Sequence, residues 1–194
     1  NEDTEGYAIQ HKIATEVIDH LGLELNLKDK LEIEKIPSDH AEARLFYNQA
    51  IAVKNKDTRE AYLECIDLLK EAIKIDPLFA DAYAHIGHTL SSALRYYQLR
   101  LMNSDLQRKE ALKYLDKALK LDKDNLIAHI GYADFYVALN NINLAFKHWE
   151  EALNISPNSA LIHESMYFYY RDFATDLEKS LYHISEAYKR NPTS

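Results

Sequence analysis

The residues best placed for chemistry are His85 and His88, three apart on one predicted helix, where both rings could meet one ion. They lie off the apolar stripe Tyr83, Ile86, Gly87 and Leu90, and Asp134 occupies the matching place one repeat later. A zinc or nickel site needs three or more such groups converging at about 2.0–2.2 Å. An i, i+3 histidine pair without the glutamate of a His-Glu-x-x-His motif is a weak metal signal, so no metal or other cofactor is expected and the pair reads as two polar surface residues. The single cysteine, Cys65, stands where packing calls for a small apolar group and reads as inert. Gly6, Gly22, Gly87 and Gly131 are isolated, which excludes a Gly-rich phosphate loop. Arg95, Arg100, Arg108, Lys109 and Lys113 cluster near Tyr96 and Tyr97. On a chain of net charge −8 they read as the solvated side of a helix and not as a nucleic-acid face. No catalytic residues are assigned, and a non-enzymatic chain is expected.

The elements that carry these residues repeat. Ala72, Ala118, Ala152 and Ala187 close four similar helical phrases, 46, 34 and 35 residues apart. Seven residues before each alanine stands a small side chain (Cys65, Ala111, Ala145, Ser180), and three before it a large apolar one (Leu69, Leu115, Trp149, Ile184). These offsets place all three on one helical face. A preceding helix carries its own stripe: Phe46/Gln49/Ala50/Val53, Tyr83/Ile86/Gly87/Leu90, His129/Tyr132/Ala133/Tyr136 and His163/Met166/Tyr167/Tyr170. Pro77 and Pro157 fall between units. Composition agrees: 47% hydrophobic residues with only four Gly and four Pro suit helices, not turn-rich sheet. A period near 34 built from helix pairs means stacked repeats.

The stripes, with the closing Asp-Pro or Ser-Pro, resemble the tetratricopeptide repeat. Residues 126–157 match in unbroken register, with Tyr132, Ala133, Tyr136, Ala145, Trp149, Ala152 and Pro157. Elsewhere Lys123 replaces the closing proline, Tyr167 the small residue and Ser180 an alanine. The resemblance implies an all-α fold, a right-handed α-solenoid of four units (about 41–77, 78–123, 124–157 and 158–192), preceded by a connector over 1–40. In that connector Ile9, Ile13, Ala14, Val17, Ile18 and Leu21 predict an amphipathic helix, and Ser38 or Asp39 is expected to cap the first repeat helix. The second unit carries about 12 extra residues around 91–107, which predict both of its helices lengthened by more than a turn.

By analogy with that family, a concave groove is lined by Arg44, Tyr47, Asn48, Ile51 and Lys54, then Ala84, His85, His88 and Ser91. Units three and four add Ile127, Ile130, Asp134 and Val137, then Leu161, Glu164, Phe168 and Arg171. Arg44, Asn48 and Lys54 are confined to unit one, which argues against the carboxylate clamp of chaperone-binding members. The mixed groove suits an amphipathic helix or extended segment. A ligand- or metal-sensing groove using His85, His88 and Asp134 is the second reading, and a dimerisation arm the third. Tyr167, Phe168, Tyr169, Tyr170, Phe173, Tyr182 and Tyr188 leave the last unit apolar on more than one side, which predicts a homodimer contact there.

The string Ile9-Gln10…Ile13-Ala14…Val17…Leu21-Gly22-Leu23…Leu25 resembles the connector between a TolB-like β domain and a tetratricopeptide tail. Ala43…Phe46-Tyr47…Ala50, Lys70-Glu71-Ala72-Ile73 and Phe79-Ala80-Asp81-Ala82-Tyr83-Ala84 fit the same tails. This implies a bacterial multidomain regulator whose cyclase, kinase or winged-helix module lies upstream, and whose partner is a protein, a peptide or that upstream domain. The chain opens on Asn1 and reads as a cut from something longer. No apolar run reaches membrane-span length and no signal peptide is visible, so a cytoplasmic chain is expected, or a periplasmic one if the parent is membrane-anchored.

Overall fold

The computed structural model describes residues 38–56, 58–95, 101 and 104–190. The expected amphipathic helix at residues 9–21 and most of the insertion between 96 and 103 lie outside them. The described chain is an all-α solenoid of eight helices: α1 (Ala41–Lys54), α2 (Arg59–Ile75), α3 (Ala80–Arg95), α4 (Ser104–Leu121), α5 (Leu126–Ala138), α6 (Ile142–Ile155), α7 (Ala160–Asp172) and α8 (Leu177–Arg190). Consecutive helices pair as hairpins, and each second helix also packs on the first helix of the next hairpin. In the second hairpin α3 has 16 residues and α4 has 18, against 13 or 14 in the two hairpins that follow. In their described residues α3 and α4 thus exceed their counterparts by three and four residues. Among the described residues no helix is long and apolar enough to cross a membrane.

Local sequence explains most boundaries. Thr58, Asn125 and Asn141 accept hydrogen bonds from the backbone N–H groups of Ala61, Ala128 and Leu144, satisfying donors that an uncapped helix end leaves open. Asn125 also donates to Asp81, which ties the start of α5 to the start of α3. The expected cap of α1 by Ser38 or Asp39 is not formed. His40 is the N-cap residue and makes no side-chain cap bond. Ser38 is instead buried, because its hydroxyl donates to Asp76 and its carbonyl accepts from Arg44, closing the first hairpin on itself. Gln107, fully buried, accepts from the Leu101 N–H and donates to the Leu90 carbonyl, so it fastens the end of the insertion to α3.

The repeat stripe is the core. Cys65, Leu69 and Ala72, then Ala111, Leu115 and Ala118, then Ala145, Trp149 and Ala152 are all buried. Gln49 departs from its stripe and is exposed, and Ala43 and Ala50 form the buried face of α1. The tightest contact is at Leu115, which is wedged between the two glycines of α3 and α5. A methyl group on Gly87 would lie 2.6 Å from Leu115 Cγ, and one on Gly131 would lie 2.6 Å from Leu115 Cδ2 and 3.1 Å from His88 Cα. Both glycines are there for close approach of helices, not for backbone freedom.

Two histidine pairs recur one repeat apart. His129 Nδ1 lies 3.2 Å from His148 Nδ1, and His163 Nδ1 lies 2.9 Å from His183 Nδ1. In each pair the first ring's Nε2 meets a carbonyl, Lys123 O at 3.3 Å or Pro157 O at 3.0 Å. A carbonyl only accepts, so that Nε2 carries the hydrogen, its Nδ1 is the acceptor, and the partner's Nδ1 must donate. In each pair the contact therefore runs from the second ring's Nδ1–H to the first ring's Nδ1. Burial, then the neighbouring histidine, lowers His148 to about 4 and His183 to about 4. Tyr132 and Tyr136 stack on His148, with Asp116 reaching in through the Tyr132 hydroxyl. Tyr170 stacks on His183, with Tyr182, Glu186 and Lys179 around it.

Two outcomes follow for stability. Gly131→Ala gains about 1 kcal/mol of helix propensity but overpacks the Leu115 contact at a cost of about 1–3 kcal/mol. A lower urea midpoint is expected, and an unchanged or raised midpoint would contradict the wedge. Secondly, the folded pKa of His148 and His183 lies below the unfolded value near 6.5, so the unfolded chain binds more protons between the two. Their stabilisation is complete above about pH 6.5 and is lost as the pH falls toward 4. The melting temperature should drop across that window, and the drop should flatten in a His148→Gln/His183→Gln variant, whose amides can donate but not titrate.

Candidate partner-binding groove

The first helices α1, α3, α5 and α7 carry the residues expected to line a groove. α3 lies against α5, whereas α5 and α7 are not among the closely packed pairs. A cavity of about 350 Å³ opens where they stand apart. Ile130, Val137, Leu161, Phe168 and Phe173 give it apolar walls, and Asp134, Glu164 and Asp172 give it carboxylates. Trp149 reaches it from α6 and is itself buried, with an indole N–H that has no hydrogen-bond partner.

Of the seventeen expected groove residues, His88, Ile130, Asp134, Val137, Leu161, Glu164 and Phe168 come together at this cavity. The others are placed differently. Arg44 is buried and donates to the Ser38 carbonyl. Tyr47 packs its ring 5.0 Å from Phe79 and 5.4 Å from His85, edge-on to the latter. Asn48 is exposed and Ile51 half-buried. Lys54 reaches from α1 to α3, with Nζ 3.1 Å from His88 Nδ1. Trp149, Ser165, Tyr169, Asp172 and Phe173 line the cavity without having been expected there. Trp149 was assigned wholly to the hairpin core, because its stripe position says nothing of how far an indole extends past its own helix.

The polar part of the groove is a chain across three hairpins. An ammonium only donates, so Lys54 fixes His88 Nδ1 as the acceptor and leaves the hydrogen on Nε2. That Nε2 lies 3.3 Å from Asp134 Oδ2, which also accepts from the Ser92 hydroxyl at 2.8 Å. The His88 and Asp134 side chains are only 13% and 12% exposed, so the pair is largely shielded from water. His85 does not join it. Its ring lies 6.4 Å from that of His88, and its Nδ1 is enclosed with no hydrogen-bond partner. Burial first, then the Lys54 ammonium and His88, hold it well below the usual histidine range. An ammonium beside His88 repels a cation, and among the described residues no three His, Cys, Asp or Glu side chains are placed to hold a metal ion. The arrangement can therefore bind and orient a segment against apolar walls that carry carboxylates among them.

Lys54 and Asp134 should be energetically coupled through His88. A double-mutant cycle of Lys54→Met and Asp134→Asn on urea stability should return about 0.5–1 kcal/mol, and the same cycle in a His88→Ala background should return nothing. Equal coupling in both backgrounds would mean that the ring does not connect them.

Residues 107–165, from α4 into α7, match the family model described as Tetratricopeptide repeat. No curated protein sequence matches the chain. Among solved structures, the fold is similar to a monomeric mutant of IFIT1 with Gppp-AAAA, at a TM-score of 0.58 and 16% identity over 86% of this chain. The chain spans 39% of the length of that structure. It is also similar to MamA, at a TM-score of 0.50 and 14% identity, over 88% of this chain and 97% of that one. The family match thus rests on residues 107–165, and the two solved structures share the all-α solenoid fold.

Proposed function

We propose that the chain is a non-enzymatic interaction module that takes a peptide or helical segment of another protein, or of its own parent, in the groove between α5 and α7. The observation that carries this is the cavity, lined by apolar side chains and three carboxylates, at the one place where successive first helices of the last three hairpins part. Tetratricopeptide domains in general bind proteins or peptides, which agrees with it. The groove carboxylates Asp134, Glu164 and Asp172 disfavour a phosphate-rich ligand, so the Gppp-AAAA named for IFIT1 is not carried over to this chain. We take residues 1–40 as a connector and 41–194 as the repeat array of a cytoplasmic bacterial signalling or transcription regulator. That context is supported by the resemblance of residues 7–90 to the tails of such proteins.

A random peptide library displayed on phage and panned against the full chain tests the groove. Enriched peptides should bind in solution, and affinity should fall by about tenfold or more in Phe168→Ala and Leu161→Arg, with little change in Leu45→Ala on α1. Enrichment of nothing, or binding indifferent to both groove substitutions, would remove the reading.

A further inference from the structure

The last helix presents a face that its own hairpin does not use. Ser180, His183 and Ala187 are the buried side of α8, turned to α7. Leu177, Leu181, Ile184 and Tyr188 follow at intervals of four, three and four, which at about 100° per residue confines them to a stripe roughly 60° wide. That stripe is centred about a quarter-turn from the buried side. Leu177 is 69% exposed, Leu181 58% and Tyr188 65%, with Ile184 half-buried. The exposed large hydrophobics before the last hairpin, Leu45, Leu78, Leu106 and Leu139, stand singly on different helices or turns. Four large apolar residues at these intervals on one face form a seam of the kind that pairs helices.

We infer that this seam pairs with the same seam of a second copy of the chain, the two α8 helices lying antiparallel about a two-fold axis. The spacing is its own complement. An axis crossing midway between Leu181 and Ile184 sets Leu177 against Tyr188 of the second copy and Leu181 against its Ile184. Charge selects the same orientation. The first turn carries Asp176, Glu178 and Lys179, a net −1, and the last carries Glu186, Lys189 and Arg190, a net +1. Lys179 pairs with Asp176, and both Lys189 and Arg190 pair with Glu186, so each end keeps one uncompensated charge. Antiparallel pairing opposes unlike ends twice, and also opposes the helix dipoles, whereas parallel pairing sets like on like. One helix face covers less than the roughly 800 Å² per partner of a standard interface, so the dimer is weak and depends on concentration. The pairing stands on α8 alone and does not depend on what the groove holds.

Sedimentation velocity of the full chain from about 5 to 500 µM should show the mass rising from monomer toward dimer. Leu181→Glu, at an exposed site, should remain monomeric throughout with an unchanged helical circular dichroism spectrum. Orientation is read by oxidising cysteine variants: a mixture of Leu177→Cys and Tyr188→Cys chains should form a disulfide dimer, and neither variant alone should. A strictly monomeric mass up to 500 µM, a dimer untouched by Leu181→Glu, or self-linking of Leu177→Cys would each overturn the inference.

Discussion

Two glycines and one leucine set the geometry on which the groove depends. Leu115 on α4 presses between Gly87 and Gly131 so closely that neither position has room for a methyl group. That contact draws α3 and α5 together and brings the His88 backbone against α5. Once the two helices are at that distance, His88 is within reach of Asp134, and Lys54 can approach the other ring nitrogen from α1. No such pair of glycines exists between α5 and α7. There the larger Trp149 of α6 stands at the repeat position of Leu115 and lines the cavity. The closed part of the groove and its open cavity thus arise from side-chain size at matching repeat positions.

The repeat stripes were legible because they are periodic and because burial enforces them. The small–large–Ala pattern of α2, α4 and α6 is buried at every position. Gly131 was not legible as a packing residue, since it lies two positions before the small slot held by Ala133. Its role depends on the path of Leu115 from a different helix. The cap of α1 was misjudged for a related reason. Ser38 has the right type and place for a cap, but Asp76, 38 residues away, offers a buried partner for its hydroxyl. Local propensity lost to a tertiary contact.

At the groove, sequence reasoning identified residue types well and their partners poorly. His85 and His88 were read as a pair because three residues separate them, yet their rings part company. His88 turns to Lys54 and Asp134, while His85 packs against Tyr47. The two His–His contacts that do form join residues 19 or 20 apart on opposite helices of a hairpin, a separation that no helical template examines. Their recurrence at the same repeat positions, 129 with 163 and 148 with 183, is the signal that a repeat-aligned reading would have caught.

Every close helix pair in the solenoid belongs to one hairpin or to adjacent ones. The chain therefore has a low contact order, and each hairpin can close on itself before it meets the next. The extra residues of the second unit lie within a hairpin and not between hairpins, so lengthening that connection adds only a slowly growing loop-closure entropy. It leaves the register of every later repeat untouched. In such an architecture the region between α3 and α4 is where the chain tolerates elaboration at little thermodynamic cost.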